Sequence, residues 1–261
     1  STFANDVYAT NLDVEGTGTV NLDGKFTGTA VRYNADGTVI LADTKNIDSS
    51  VTTATNNTGT LSLEGSSTVT GQVGASGASL KEINAGVAGT TSTFNSNVYA
   101  SNLNMTGAGT VVLNSDLTGN VVTTGNNKGI LTTTGVNQTI TGNIGSSTSL
   151  NLNTLNIGSN TDATNYSKTT INGNVFANST VLNNNGTTNS SELILASGKN
   201  ITSTITTADA NMGILTLAGG IQTVTGQVGN GNKLAEVNAG NGTSTFANDV
   251  YATNLDVEGT G

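Results

Sequence analysis

The sequence predicts an all-β fold, a parallel β-solenoid (β-helix) of about 19–22 residues per coil and roughly a dozen coils. Three observations predict it. The first eighteen residues, 1–18, return without a change at 244–261, so one period spans 243 residues. Apolar residues come as i, i+2 pairs, clearest at Val20/Leu22, Val39/Leu41, Leu61/Leu63, Val111/Leu113, Leu193/Leu195 and Leu215/Leu217, which is the period of a strand with one face buried. The pairs recur at nearly one interval, from Leu22 to Leu41, from Leu41 to Leu63 and from Leu195 to Leu217. Strands that return to one place at such an interval form a coil.

Each period divides into three related modules, residues 1–91, 92–165 and 166–243, and 244–261 begins the next identical period. Module one opens on Phe3, Val7, Tyr8 and Leu12, which module two repeats as Phe94, Val98, Tyr99 and Leu103. Module three carries a weaker version from Thr170 through Val175, Phe176 and Ala177 to Leu182. The later halves match as well. The stretch from Gly59 through Leu61, Leu63 and Thr68-Val69-Thr70 to Gly74 corresponds to Gly213 through Leu215, Leu217 and Thr223-Val224-Thr225 to Gly229, with Gly129 to Gly145 between them. The modules close on Ile83-Asn84-Ala85-Gly86, Leu155-Asn156-Ile157-Gly158 and Val237-Asn238-Ala239-Gly240. Between Gly28 and Asn56 module one holds about twenty residues more than module two holds between Gly119 and Asn126. That is the length of one coil, and a whole added coil keeps a stack in register.

Composition agrees with stacked short strands. Thr (48), Asn (38) and Gly (34) make up nearly half the chain, and Pro, Cys, His and Trp are absent. Thr suits a pleated surface, Asn and Gly supply bends, and a Pro would break a ladder bonded on both sides. Only 10 % of residues are charged, and regular apolar pairs argue against disorder. A net charge of −9 with eight scattered basic residues leaves no electrostatic footprint for nucleic acid or an anionic membrane surface. No apolar run approaches a membrane span. A two-sheet sandwich of hairpins is the structural alternative.

Chemistry-bearing patterns are sparse. Seven of the ten aromatic residues, Phe3, Tyr8, Phe94, Tyr99, Phe176, Phe246 and Tyr251, belong to the module openings. Phe is expected to plug the core and Tyr to lie on an outer face or corner. The Thr-x-Thr triplets at 68–70, 139–141 and 223–225 stand three or four coils apart, too far for a continuous ice-binding array. The Gly-Gly-x-Gly-x-Asp nonapeptide of calcium β-rolls is missing, and acidic residues such as Asp13, Glu15, Asp23 and Asp43 stand singly. A polysaccharide-cleaving β-helix needs paired carboxylates with a cation nearby. Here the single Arg, Arg32, has Asp36, Asp43 and Asp48 in its neighbourhood, an arrangement that reads as a charged surface loop. The expectation is therefore a non-enzymatic chain with no catalytic, cofactor-binding or metal residues and no cofactor.

The run at 58–74, followed by Leu80-Lys81-Glu82-Ile83-Asn84-Ala85-Gly86 and by Phe94, Val98 and Tyr99, resembles the passenger repeats of rickettsial surface cell antigens and, more widely, autotransporter passenger-associated repeats. The resemblance covers nearly the whole chain. It implies a β-helical passenger on the bacterial outer surface, extracellular, serving adhesion or surface-layer display, with a host or other cell-surface ligand as partner. The strict 243-residue period keeps open an alternative, a self-assembling extracellular filament, stalk or sheath. Either way the neighbouring repeats of the same chain are the first expected partners, with self-association end to end or side by side and neither nucleic acid nor membrane insertion.

Overall fold

The computed structural model describes residues 1–159, 166–185 and 189–258. The described residues contain strands, turns and bends but no helix. Among the described residues every pairing between coils is parallel, and the antiparallel strand pair is Asn184–Asn185 with Asn189–Ser190. The chain is a β-solenoid of about 11 turns, and a sandwich is excluded.

Hydrogen bonding links the strands into two thirteen-stranded ladders. Residue-by-residue register resolves three stacked sides, because strands such as Phe26–Tyr33, Val98–Met105 and Val175–Leu182 bend round a corner and serve two sides each. Side one carries the inward column Val20, Val39, Leu61, Ile83, Leu103, Val121, Ile144, Val175, Ile201, Val224 and Phe246. Side two carries Val7, Phe26, Ile47, Val69, Phe94, Leu113, Thr133, Ile157, Leu182 and Thr207. Side three runs from Leu12 through Val31, Val51, Val73, Val98, Leu117, Ile140, Ile171, Leu195, Leu217 and Ala239 to Val257. Twelve rungs make eleven steps, about 53 Å of rod at the usual strand spacing. The three columns meet in one apolar core whose interior members, from Val31 to Leu217 on side three, are almost wholly buried.

The expected pairs stack directly, Leu22 on Leu41, Leu41 on Leu63 and Leu195 on Leu217. Steps lengthen where a corner carries an excursion: Ile140 meets Ile171, and the hairpin-like bridges Ala75↔Ala78 and Ser147↔Leu150 interrupt the corners after Gly74 and Gly145.

Corners explain the Asn content. An Asn or Asp at the start of a side accepts the backbone N–H of the coil above, satisfying a donor that the ladder leaves free where the chain turns. At one corner this continues through four steps: Asn120 Oδ1 accepts from Asn143 N (3.0 Å), Asn143 from Asn174 N (2.8 Å), Asn174 from Asn200 N (2.9 Å) and Asn200 from Thr223 N (2.8 Å). Another corner device is Asn-x-Gly in left-handed conformation, at Asn57/Gly59, Asn127/Gly129 and Asn211/Gly213. The Gly is required on two counts, φ and space: a Cβ on Gly59 would lie 2.5 Å from the Tyr33 ring, and one on Gly129 2.7 Å from Met105.

The modules do not return to the side on which they began. Phe3, Phe94, Ile171 and Phe246 occupy corresponding places, and they stand on sides one, two, three and one. Likewise Leu61, Leu131 and Leu215 stand on sides one, two and three. From Val7 to Val98 the chain advances four and a third turns, and from Val98 to Val175 and Val175 to Val250 three and a third each. The longer first module holds one whole extra coil, in the stretch between Gly28 and Asn56. Three modules therefore close on the same side with a slip of two residues, since Phe3 faces Leu22 while Phe246 caps the Val20 column. An even slip keeps inward side chains inward.

Candidate binding surfaces

The aromatic residues of the module openings divide as their places dictate. Phe94 is buried, while Tyr99 is half-buried over the corner of the previous coil. There Tyr99 N donates to Val73 O (2.7 Å), and the Tyr99 backbone lies so close that a Cβ on Gly74 would be 2.3 Å from Tyr99 O and 3.0 Å from its Cβ. Phe176 meets Gly145, and Tyr251 meets Gly229, in the same way. These aromatics seat each module on the last, and successive seats lie on different sides of the rod, so they form no stacking platform. Phe3 and Phe246 belong to the end coils and are partly exposed.

The three Thr-x-Thr triplets fall on sides two, three and one. A different set of residues does align. On side two, outward Thr91, Thr110, Ile130, Thr154, Ser179 and Thr204 form one column, and Thr93, Val112, Thr132, Asn156, Val181 and Thr206 form its neighbour. This uncharged double stripe spans six coils and includes a shallow recess of about 310 Å³ between Thr110, Val112, Ile130 and Thr132. Sequence spacing alone missed it because its members come from all three modules and from unlike motifs. Only the coil lengths, which decide what lies over what, bring them together.

The carboxylates singled out near Arg32 are dispersed. Asp36 accepts Gly59 N and pairs with Lys81 at 2.9 Å, Asp43 accepts Ser66 N at 2.7 Å, and Asp48 approaches Lys25 at 3.7 Å. Arg32 instead grips Asp13 one coil below, its Nη2 donating to Oδ2 at 3.0 Å. The bonded guanidinium holds the Asp13 carboxyl below the usual carboxylate range, and the Lys81 ammonium does the same for Asp36. Burial pushes the Tyr33 phenol up, and its O–H donates to Thr60 O at 2.7 Å. Among the described residues no three acidic side chains gather as metal ligands would.

At the C-terminal end Ala239, Phe246, Leu255 and Val257 line an open recess of about 410 Å³. No family model, no curated protein and no solved structure matches this chain.

Proposed function

We propose that the chain is a non-enzymatic structural segment of a long repetitive bacterial cell-surface protein, an extracellular β-helical rod serving adhesion or surface-layer display. The observation that carries this reading is the closure of the 243-residue period on one side of the solenoid, which lets units follow one another with a single uninterrupted core. Support also comes from the acidic residues discussed above, which serve corners and coil-to-coil ion pairs. Within this reading the double stripe on side two is the contact surface, since it is uncharged and extends over six coils. The test is binding of the purified chain to host cells or to a bacterial surface, compared with Thr110→Lys/Thr132→Lys. Loss of binding in the variant supports adhesion through the stripe, and glycan cleavage abolished by replacing one Asp or Glu defeats the structural reading.

The identity of 1–18 with 244–261 favours a second reading, a self-assembling extracellular filament, stalk or sheath built from tandem repeats. Fibres in electron micrographs of the chain, without ligand binding, select it.

A further inference from the structure

We propose that the double stripe on side two binds ice, an inference that rests on the reading of that stripe as the contact surface and names what it contacts. Three features set the stripe apart. Its register is unbroken, for each outward pair lies directly over the next from Thr91 and Thr93 to Thr204 and Thr206, and the shift carried by strand Val175–Leu182 falls before Ser179. Ten of its twelve outward residues are β-branched, seven Thr with Val112, Ile130 and Val181. Branching at Cβ fixes χ1, so methyls and hydroxyls are held in place before anything binds. Finally, its hydroxyls are free. Five stand in the first column and three in the second, and among the described residues only that of Thr132 has a hydrogen-bond partner, Asn156 Nδ2 at 3.3 Å. Outward side chains elsewhere bond to one another: on side one Asn84 donates to Ser62 Oγ (3.3 Å) and Asn104 to Asn84 Oδ1 (2.9 Å), and on side three Lys168 pairs with Glu192 (2.9 Å).

What such a face recognises follows from its spacing and chemistry. Successive ranks stand about 4.7–4.9 Å apart, and the two columns, two residues apart along each strand, about 6.4–6.8 Å. Oxygen atoms in hexagonal ice repeat along the a and c axes by distances close to these, so each rank of the stripe meets an equivalent place on the lattice. No side chain in the stripe is charged or aromatic, which removes the groups that pair with ions or stack on sugar rings. A second copy of the chain fits poorly. Five steps give a strip about 24 Å long, and its two columns offer on the order of 350 Å², under half of the roughly 800 Å² per partner that a stable interface buries. Against ice the same area suffices, because the water is already ordered in the crystal and the stiff side chains lose little freedom of their own.

The test grows ice slowly from a dilute solution of the whole chain and compares protein in the ice with protein left in the liquid, beside a globular protein of like mass that does not bind ice. The chain is expected to be enriched in the ice several-fold over that protein. Thr110→Lys/Thr132→Lys sets two strongly hydrated ammonium groups on the stripe and should abolish the enrichment. Ile40→Lys/Val122→Lys adds the same charge to outward positions of side one and should leave it unchanged. Circular dichroism checks that each variant keeps the fold, and Thr154→Lys replaces the first pair where it does not. Enrichment no greater than that of the comparison protein, or equal loss in the side-one variant, overturns the proposal. So does concentration-dependent sedimentation that Thr110→Lys/Thr132→Lys abolishes in a chain excluded from ice, since the stripe then pairs copies of the chain. The adhesion reading fails separately: cell binding through the stripe without ice enrichment removes ice alone, whereas ice enrichment without cell binding leaves this proposal standing.

Discussion

Residues 1–14 and 244–257 are the same sequence at two ends of one rod, and they differ in burial residue by residue. Val14 is sealed while Val257 is open, and Leu12 is half-buried while Leu255 is exposed. In the other direction Phe246, stacked on Val224, is half-buried, and Phe3 is 37 % exposed. Both copies follow the same three sides in the same order. The comparison teaches that local sequence decides which way a side chain points and that the adjoining coil decides how much water it loses. The internal copy at 92–105, covered above and below, shows the completed state: Phe94, Val98, Leu103 and Met105 are all buried.

The largest break of this comparison is expected from Phe94→Ala, which should lower unfolding stability by about 3–5 kcal/mol, whereas Phe3→Ala and Phe246→Ala should each change it by less than about 1 kcal/mol. Denaturant titration followed by circular dichroism measures the three, and equal losses would contradict control by coverage. Next comes Gly74→Ala, whose new Cβ meets Tyr99 O in a left-handed backbone. It should destabilise by about 2 kcal/mol or more, against about 1 kcal/mol for Gly77→Ala, where φ is also positive but nothing lies within 4 Å. A thermal melt of both variants separates crowding from backbone strain. Val14→Ala should cost about 1–2 kcal/mol and Val257→Ala only a few tenths. Amide exchange sharpens the same contrast, with strand Ala252–Val257 exchanging faster than Leu234–Ala239 directly beneath it.

The smallest effect is electrostatic. Asp13 and Asp36 titrate below their ordinary 3.8, so their pairs support the fold fully above about pH 5 and lose that support as pH falls through the lowered values. Both pairs lie at the solvent-accessible surface, and a melting curve at pH 2 should therefore differ between wild type and Asp13→Asn less than it does at pH 6, by a modest margin that 1 M salt removes.

Much of the solenoid was legible in the residues because its signals are local. An i, i+2 pair such as Leu61/Leu63 declares a half-buried strand, and its recurrence 22 residues after Val39/Leu41, itself 19 residues after Val20/Leu22, declares a coil. The whole-coil insertion of module one was legible for the same reason, as a length difference. The number of sides was not, because it depends on where strands such as Phe26–Tyr33 bend, and the register shifts at Tyr99/Asn102 and Phe176/Ser179 lack a counterpart of Gly28, which sits in the shift between Thr27 and Ala30. Nor was the burial of Tyr33 against Gly59, a contact between successive coils that no local pattern announces. The double stripe stayed hidden for a stricter reason: the intervals from Thr110 to Ile130 and from Ile130 to Thr154 are unequal, and only the actual step lengths superpose the three.

The fractional advance of each module has a consequence for how such a gene could grow or shrink. Duplicating or deleting a single module would turn everything beyond it by a third of a circle and carry the double stripe to another side. Duplicating all three leaves the surface aligned, apart from the two-residue slip, and changes only the length. The smallest unit whose copy number can vary without rearranging the exterior is therefore the full 243-residue period, which is also the unit that recurs without a substitution in its first eighteen residues.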